Sequence, residues 1–116
     1  MDIKAAILNS TTKKIEKIDV PEWGTSVFMR TMTAGERDAW ELAWLDRQGK
    51  GGVANFRSVF LVKCLCDENG TRLFSDGEVE QLAAQDSNVI NRLFEFAREQ
   101  NGLTSDQVDE LSLIHI

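Results

Sequence analysis

The pattern of apolar and polar positions is dominated by one segment, VANFRSVFLVKCLCDENGTRLF, which runs from Val53 to Phe74. Its apolar side chains between Val59 and Cys66 would point in nearly every direction around a helix. A segment that is hydrophobic on all sides has to be buried on all sides, so the other elements are expected to pack around it. The turn-forming sequence Asp-Glu-Asn-Gly at positions 67–70 ends the apolar run.

A short apolar run rich in Val, Phe and Cys also fits a buried strand, with residues 67–70 as a hairpin loop. About fourteen residues separate Gly52 from that turn, which is long for a strand. The length therefore favours a central buried helix, and the strand stays as the alternative.

Upstream of this segment the pattern predicts a short helix and a β-hairpin. Residues 2–9 are predicted to form a short helix that has three apolar side chains on one side, Ile3, Ile7 and Leu8. A helix this short is not stable alone and is expected to dock on the rest of the chain. Residues 14–20 and 25–32 are β-leaning and flank the turn Pro-Glu-Trp-Gly, which predicts a hairpin that also lies on the helices.

Three helix starts carry the capping-box signature, in which Ser or Thr is followed three positions later by Glu or Gln. They are Thr33–Glu36, Ser75–Glu78 and Thr104–Gln107. The first box opens a helix that is expected to continue to about Gln48, where a flexible glycine-rich link begins. Three such signatures in one small chain indicate a helical protein.

The clearest amphipathic pattern follows Asp86, which, like the Ser after it, suits a helix N-cap. Its apolar positions are Ile90, Leu93, Phe94 and Ala97. They follow the i, i+3, i+4, i+7 spacing of one helix face, and Gly102 supplies a C-cap. The predicted fold is therefore mainly α: a small helical domain with a central buried helix and a short N-terminal β-hairpin.

The length of 116 residues predicts a single domain, 1–116, with a β-hairpin region at 13–32 and a helical core at 33–112. The last residues, 112–116, end an apolar tail that reads LSLIHI after two acidic residues. Three explanations fit this tail equally: a truncation, a cloning or assembly scar, or an edge that meets a partner.

The charge balance narrows the classes of partner. Nineteen acidic residues against thirteen basic ones give a net charge of −6. Nucleic acid and anionic membranes both require basic surfaces, so neither is expected as a partner. The start of the chain lacks the features of a signal peptide, and we expect a cytosolic protein with a protein partner.

No catalytic, cofactor or metal site is expected. The only histidine is His115, in the tail, which leaves no Ser–His or Cys–His pair. Cys64 and Cys66 are too few for a structural zinc site and have no distant partner for a disulfide. Buried thiols in a reducing compartment are the expected state, and the protein is not expected to be an enzyme.

The tryptophans are the candidate protein-binding residues, because tryptophan is over-represented in binding anchors. Trp40 and Trp44 lie one helical turn apart and are either a packing stripe of the core or an anchor for another chain. Trp23 lies on the hairpin turn and is the candidate for a partly exposed anchor. We predict protein-binding roles for Trp23, Trp40 and Trp44.

Three stretches resemble, in order and spacing, the tail assembly chaperones of long-tailed (siphophage-type) bacteriophages. They are PEWGTSVFMRTMTAGERDAWE (Pro21–Glu41), CLCDENGTRLFSDGEVEQL (Cys64–Leu82) and NRLFEFAREQNGL (Asn91–Leu103). The resemblance covers roughly residues 13–110 and includes no catalytic residue.

The resemblance implies a helical, self-associating protein that acts in the host bacterial cytoplasm and is absent from the mature virion. It implies that the chain coats the tape measure protein and helps to recruit tail tube protein, the latter through a longer frameshifted form. The alternative is a structural part of the virion, such as a head–tail connector or a minor tail protein.

Overall fold

The architecture is a three-stranded antiparallel sheet packed against helices. The computed structural model describes residues 2–9, 14–47 and 55–103, with side chains described up to residue 42 in the second range. The helices are α1 (Ile3–Asn9), α2 (Ala34–Arg47), α3 (Phe56–Cys64), α4 (Val79–Ala83) and α5 (Ser87–Gln100). The strands are β1 (Ile15–Val20), β2 (Thr25–Arg30) and β3 (Leu65–Cys66). The predicted mainly-α class is confirmed.

The predicted hairpin is formed by β1 and β2, which pair with Ile15 opposite Arg30 and Ile18 opposite Val27. A 3₁₀ turn, Pro21–Trp23, joins the strands. Gly24 ends this turn with a φ of 68°, a left-handed conformation that glycine adopts without steric cost. The hairpin prediction is therefore confirmed, down to the Pro-Glu-Trp-Gly turn.

The central apolar segment contains both a helix and a strand. Helix α3 ends at Cys64, and Leu65 is already extended, with φ −66° and ψ 125°. Leu65 then pairs with Met29, so β3 lies beside β2 and the sheet order is β1-β2-β3. Six side chains of this segment are fully buried: Phe60, Leu61, Val62, Cys64, Leu65 and Cys66. The predicted burial is confirmed from Phe60 onward, whereas Val59 is only partly buried. The helix prediction describes the first part of the segment, and the strand alternative describes its end.

Helix α5 packs its predicted face against the core. Its buried apolar residues are Val89, Ile90, Leu93, Phe94 and Ala97. The carboxylate of Asp86 accepts hydrogen bonds from the backbone N–H groups of Asn88 and Val89, which caps the helix. Gly102 has a φ of 73°, and the Leu103 N–H donates to the Arg98 carbonyl at 3.0 Å. Both predicted caps are present.

Two of the three capping boxes are confirmed. The Thr33 N–H donates to Glu36 Oε1 at 2.8 Å, and the Glu36 N–H donates to Thr33 Oγ1 at 3.1 Å. The same reciprocal pair forms at Ser75 and Glu78, where it begins a 3₁₀ turn that leads into α4. The box at Thr104–Gln107, the glycine-rich link and the LSLIHI tail lie outside the described residues.

Helix α1 forms where it was predicted, but the expected docking of its apolar side is wrong. None of its residues is buried. The exposed fractions of Ile3, Ile7 and Leu8 are 75%, 65% and 72%. A seven-residue helix with its apolar side in water gains nothing from burial in the folded chain. This surface is therefore the first candidate for contact with another molecule.

Candidate protein-interaction surface

The apolar side of α1 is the most exposed large hydrophobic surface that the structure describes. Ile3 and Ile7 lie four residues apart on one helix face, and Leu8 follows directly. The start of the helix is held by Asp2, whose Oδ1 accepts the Lys4 N–H at 3.0 Å. Two further exposed leucines lie on other elements, Leu42 on α2 and Leu73 before α4. The spacing of the α1 residues was visible in the sequence, where it was interpreted as a face for intramolecular packing.

Trp40 lies in the core, with 1% of its surface exposed. Its ring centroid is 5.0 Å from that of Phe60 in an edge-to-face arrangement and 6.1 Å from that of Phe56. Phe94 completes the group, 5.4 Å from Phe60. This aromatic cluster of Trp40, Phe56, Phe60 and Phe94 joins α2, α3 and α5. Trp40 is placed to hold these helices together, which is the packing alternative of the sequence analysis.

Trp23 is half-buried on the hairpin turn and packs against the edge of the core. With Phe74, Gln81, Leu82 and Gln85 it lines a shallow pocket of about 280 Å³. The side chain of Trp44 lies outside the described residues. The structure thus separates Trp23, at the surface, from Trp40, in the core, and the protein-binding roles of all three tryptophans stay predictions.

The hairpin is held against α5 by contacts between residues far apart in sequence. Both oxygens of the Glu22 carboxylate accept from Arg92, at 2.8 and 2.9 Å. The amide of Gln100 donates to the carbonyls of Lys14 and Met29. These hydrogen bonds attach the hairpin to both the first half and the last residue of α5. Neither pairing had a signal in the sequence, because local patterns do not report which distant residues meet.

The side chain of Asn101 ties three elements together. Its Oδ1 accepts the Met32 N–H at 2.8 Å, and its Nδ2 donates to the Ala97 carbonyl at 2.8 Å. The same Nδ2 lies 3.7 Å from Cys64 Sγ. Burial raises the pKa of the Cys64 thiol to about 12, although the hydrogen bond from Asn101 acts in the opposite direction. Cys64 is therefore a buried thiol that is protonated at neutral pH, and its burial is as predicted.

The Glu22–Arg92 pair leads to a prediction about acid stability. Its hydrogen bonds to Arg92 hold the pKa of Glu22 at about 2, below its ordinary value of 4.5. A carboxyl whose pKa is lower in the folded state stabilises the fold above its unfolded pKa, and the contribution is lost as the pH falls. We expect Glu22→Gln to lower the free energy of unfolding at pH 6 and to make progressively less difference from pH 5 to pH 2.

Urea unfolding of both proteins across this pH range measures the difference, and 1 M NaCl should reduce it at pH 6, because both side chains are solvent-accessible. A difference that is independent of pH would show that the Glu22 carboxylate does not act through its charge.

Two further described carboxyl groups with a shifted pKa, those of Glu36 and Asp76, belong to structural ion pairs. Burial opposes ionisation of Glu36, but hydrogen bonds from Arg30 and from the Thr33 N–H lower the pKa of this carboxyl. A hydrogen bond from Arg72 lowers the pKa of Asp76, with Lys63 also contributing. A groove of about 630 Å³ lies between the starts of α3 and α5, and none of the groups with a shifted pKa lines it.

Within the described ranges no three His, Cys, Asp or Glu side chains are close enough together to hold a metal ion. No helix in the described part of the chain combines the length and apolar character that a membrane span requires. Among the described residues, the surface that stands out is the apolar side of α1, with Ile3, Ile7 and Leu8 exposed.

Comparison with known proteins gives a family and a fold. The family model described as phage tail assembly chaperone matches residues 2–111. Among solved structures, that of the bacteriophage HK97 tail assembly chaperone is similar, with a TM-score of 0.59 and 22% sequence identity. The match covers 88% of this chain and 91% of the HK97 chain, so nearly the whole fold is shared. No curated protein matches the sequence.

Proposed function

Because the chain belongs to the phage tail assembly chaperone family, we propose that it covers apolar stretches of the tape measure protein and keeps that protein soluble during tail assembly. The observation that carries this proposal is the exposed apolar side of α1. A chaperone of this kind needs a surface that covers apolar side chains of its client, and charge that keeps the complex dispersed. The net charge of −6 supplies the second requirement.

The size of the α1 surface supports weak contacts made by many copies. Complete burial of one large aliphatic side chain contributes about 1.5–3 kcal/mol. Association itself costs at least about 4 kcal/mol in lost freedom of motion, so three such side chains give only a weak complex for one copy. Several copies on one long client bind far more tightly, because each later contact is intramolecular. We therefore propose a homo-oligomer on the client, acting without any catalytic step.

The proposed place of action is the cytoplasm of the host bacterium. We propose in addition that a longer, frameshifted form of the chain recruits the tail tube protein. A chaperone leaves the finished particle, whereas a head–tail connector or a minor tail protein stays in it. Mass spectrometry of purified virions separates the two. We expect no peptide of this chain in the virion, and a peptide present in stoichiometric amount would establish the structural alternative.

Co-expression with a tape measure fragment tests the client and the surface together. We expect the chain to raise the soluble fraction of the fragment, and we expect the double variant Ile3→Ser/Leu8→Ser to lose most of this effect. Burial of two exposed aliphatic side chains in the complex should increase the affinity of each copy for the fragment by a factor of about ten or more. The measurement is the amount of fragment in the supernatant after centrifugation of the lysate.

Leu42→Ser is the matched control, since Leu42 is a comparably exposed leucine on α2. With this variant, the soluble fraction of the tape measure fragment should be the same as with the wild-type chain. Equal soluble fractions with and without the chain would refute the chaperone role on this client. Equal effects of the α1 variant and the wild type would refute the assignment of the client surface to α1.

A further inference from the structure

Strand β1 forms an open edge of the sheet. The strand order β1-β2-β3 leaves β1 paired with β2 alone among the described residues. An open edge presents unpaired backbone N–H and C=O groups that can pair with another strand. Two charged side chains lie in the middle of this edge strand, Lys17 and Asp19, and both are exposed.

The register of the hairpin shows which backbone groups face outward. The Thr31 N–H donates to the Lys14 carbonyl at 3.1 Å, which continues the register that places Ile15 opposite Arg30. In an antiparallel pair, hydrogen-bonded and non-hydrogen-bonded pairs alternate. The backbone groups of the even-numbered residues therefore face β2. Those of Ile15, Lys17 and Asp19 face the open edge.

A second copy of β1 fits this edge in one register. Two identical strands related by a two-fold axis perpendicular to the sheet place residues of equal parity opposite each other, because side chains alternate between the faces. One register places Lys17 of one copy opposite Lys17 of the other, and another register places the two Asp19 residues opposite each other. The register between them places Lys17 of each copy opposite Asp19 of the other, with Ile18 opposite Ile18 on the axis. Opposite charges across strands are favourable and like charges are not, so the charge pattern selects this register.

Both charged groups are free to make this contact. Among the described residues Lys17 forms no ion pair. Asp19 Oδ1 accepts the Ser26 hydroxyl at 2.6 Å from the neighbouring strand, which orients the carboxylate on the same face as Lys17 and leaves its second oxygen for a cation. Backbone pairing of Lys17 with Asp19 of the other copy uses only groups that point away from β2.

We propose that β1 pairs antiparallel with β1 of a second copy, with Lys17 opposite Asp19 twice, so that two three-stranded sheets become one sheet of six strands. The inference deepens the proposed function, because it rests on the proposed homo-oligomer and assigns one of its interfaces.

Charge reversals test the register. Lys17→Asp alone brings four carboxylates together across the axis, and Asp19→Lys alone brings four ammonium groups together. We expect each single variant to associate at least tenfold more weakly than the wild type in sedimentation velocity over a concentration series. The double variant Lys17→Asp/Asp19→Lys keeps the net charge and restores both opposite-charge pairs, so it should associate as the wild type does. An equimolar mixture of the two single variants should also associate, as a heterodimer.

Glu80→Lys, at an exposed position on α4 outside the sheet, is the control and should leave association unchanged. Circular dichroism and urea unfolding confirm that every variant is folded. The proposal is overturned if the wild type is monomeric throughout, if a single variant associates like the wild type, or if the double variant and the mixture stay monomeric. The assay contains no client, so its outcome is independent of the co-expression test of the chaperone role.

Discussion

Phe60→Ala is expected to lower the free energy of unfolding by about 3–5 kcal/mol, the range found for large-to-small changes of buried aromatic residues. Phe60 is fully buried in the aromatic cluster, and its ring contacts those of Trp40 and Phe94 edge to face. Truncation removes the packing of α3 against both α2 and α5 and leaves a cavity where the three helices meet. A domain of this size is stable by about 5–15 kcal/mol, so the variant retains a small margin at best.

Urea unfolding followed by circular dichroism measures this loss, and the thermal midpoint should fall by roughly 12–20 °C. Leu42→Ala is the control, because Leu42 is 65% exposed and its truncation should change stability by less than about 0.5 kcal/mol. A loss below about 1.5 kcal/mol at Phe60 would mean that the helices close over the cavity and that the cluster is not what sets their arrangement.

Glu36→Ala is expected to lower the free energy of unfolding by about 3 kcal/mol, because it leaves a buried charge without its partner. Arg30 is 2% exposed, and its two terminal nitrogens donate to the two Glu36 oxygens at 3.1 and 2.6 Å. The same carboxylate accepts the Thr33 N–H at the start of α2, so the variant also loses a capping contact. One side chain thus holds the end of β2 to the beginning of α2.

The double variant Arg30→Met/Glu36→Ala separates the two contributions, since it removes the buried charge together with its partner. It should be more stable than Glu36→Ala alone, by about 1–2 kcal/mol. Glu41→Ala is the matched control: its carboxylate pairs with Arg37 at the surface, at 3.1 Å, and should contribute at most about 0.5 kcal/mol. If Glu36→Ala costs no more than Glu41→Ala, the buried pair does not stabilise the fold.

The parts of the fold that follow from local chemistry were predictable. The apolar spacing of α5, its Asp86 cap and the turn between β1 and β2 depend on residues within a few positions of one another. Each therefore leaves a pattern in the sequence. The boundary between α3 and β3 left none, because Leu65 pairs with Met29 of β2, and both α2 and α3 lie between these two residues in the chain.

The candidate site was only partly predictable. A pattern of apolar residues shows which side of a helix is apolar, but it does not show what that side contacts. Ile3, Ile7 and Leu8 were correctly placed on one side of a helix, yet the same spacing serves packing within a chain and contact between chains. For Arg30, even the burial of the side chain could not be predicted. Nothing in its neighbours indicates that it is buried, and its burial depends on Glu36 meeting it in three dimensions.

The bonds between the hairpin and α5 also set the order in which this protein can fold on a ribosome. Glu22 emerges 70 residues before Arg92, and Lys14 emerges 86 residues before Gln100. At translation speeds of about 5–20 residues per second, roughly 4–17 s pass between the synthesis of the hairpin residues and that of their partners in α5. The nascent chain therefore completes its native structure only when α5 has been synthesised, and until then the hairpin lacks the contacts that hold it.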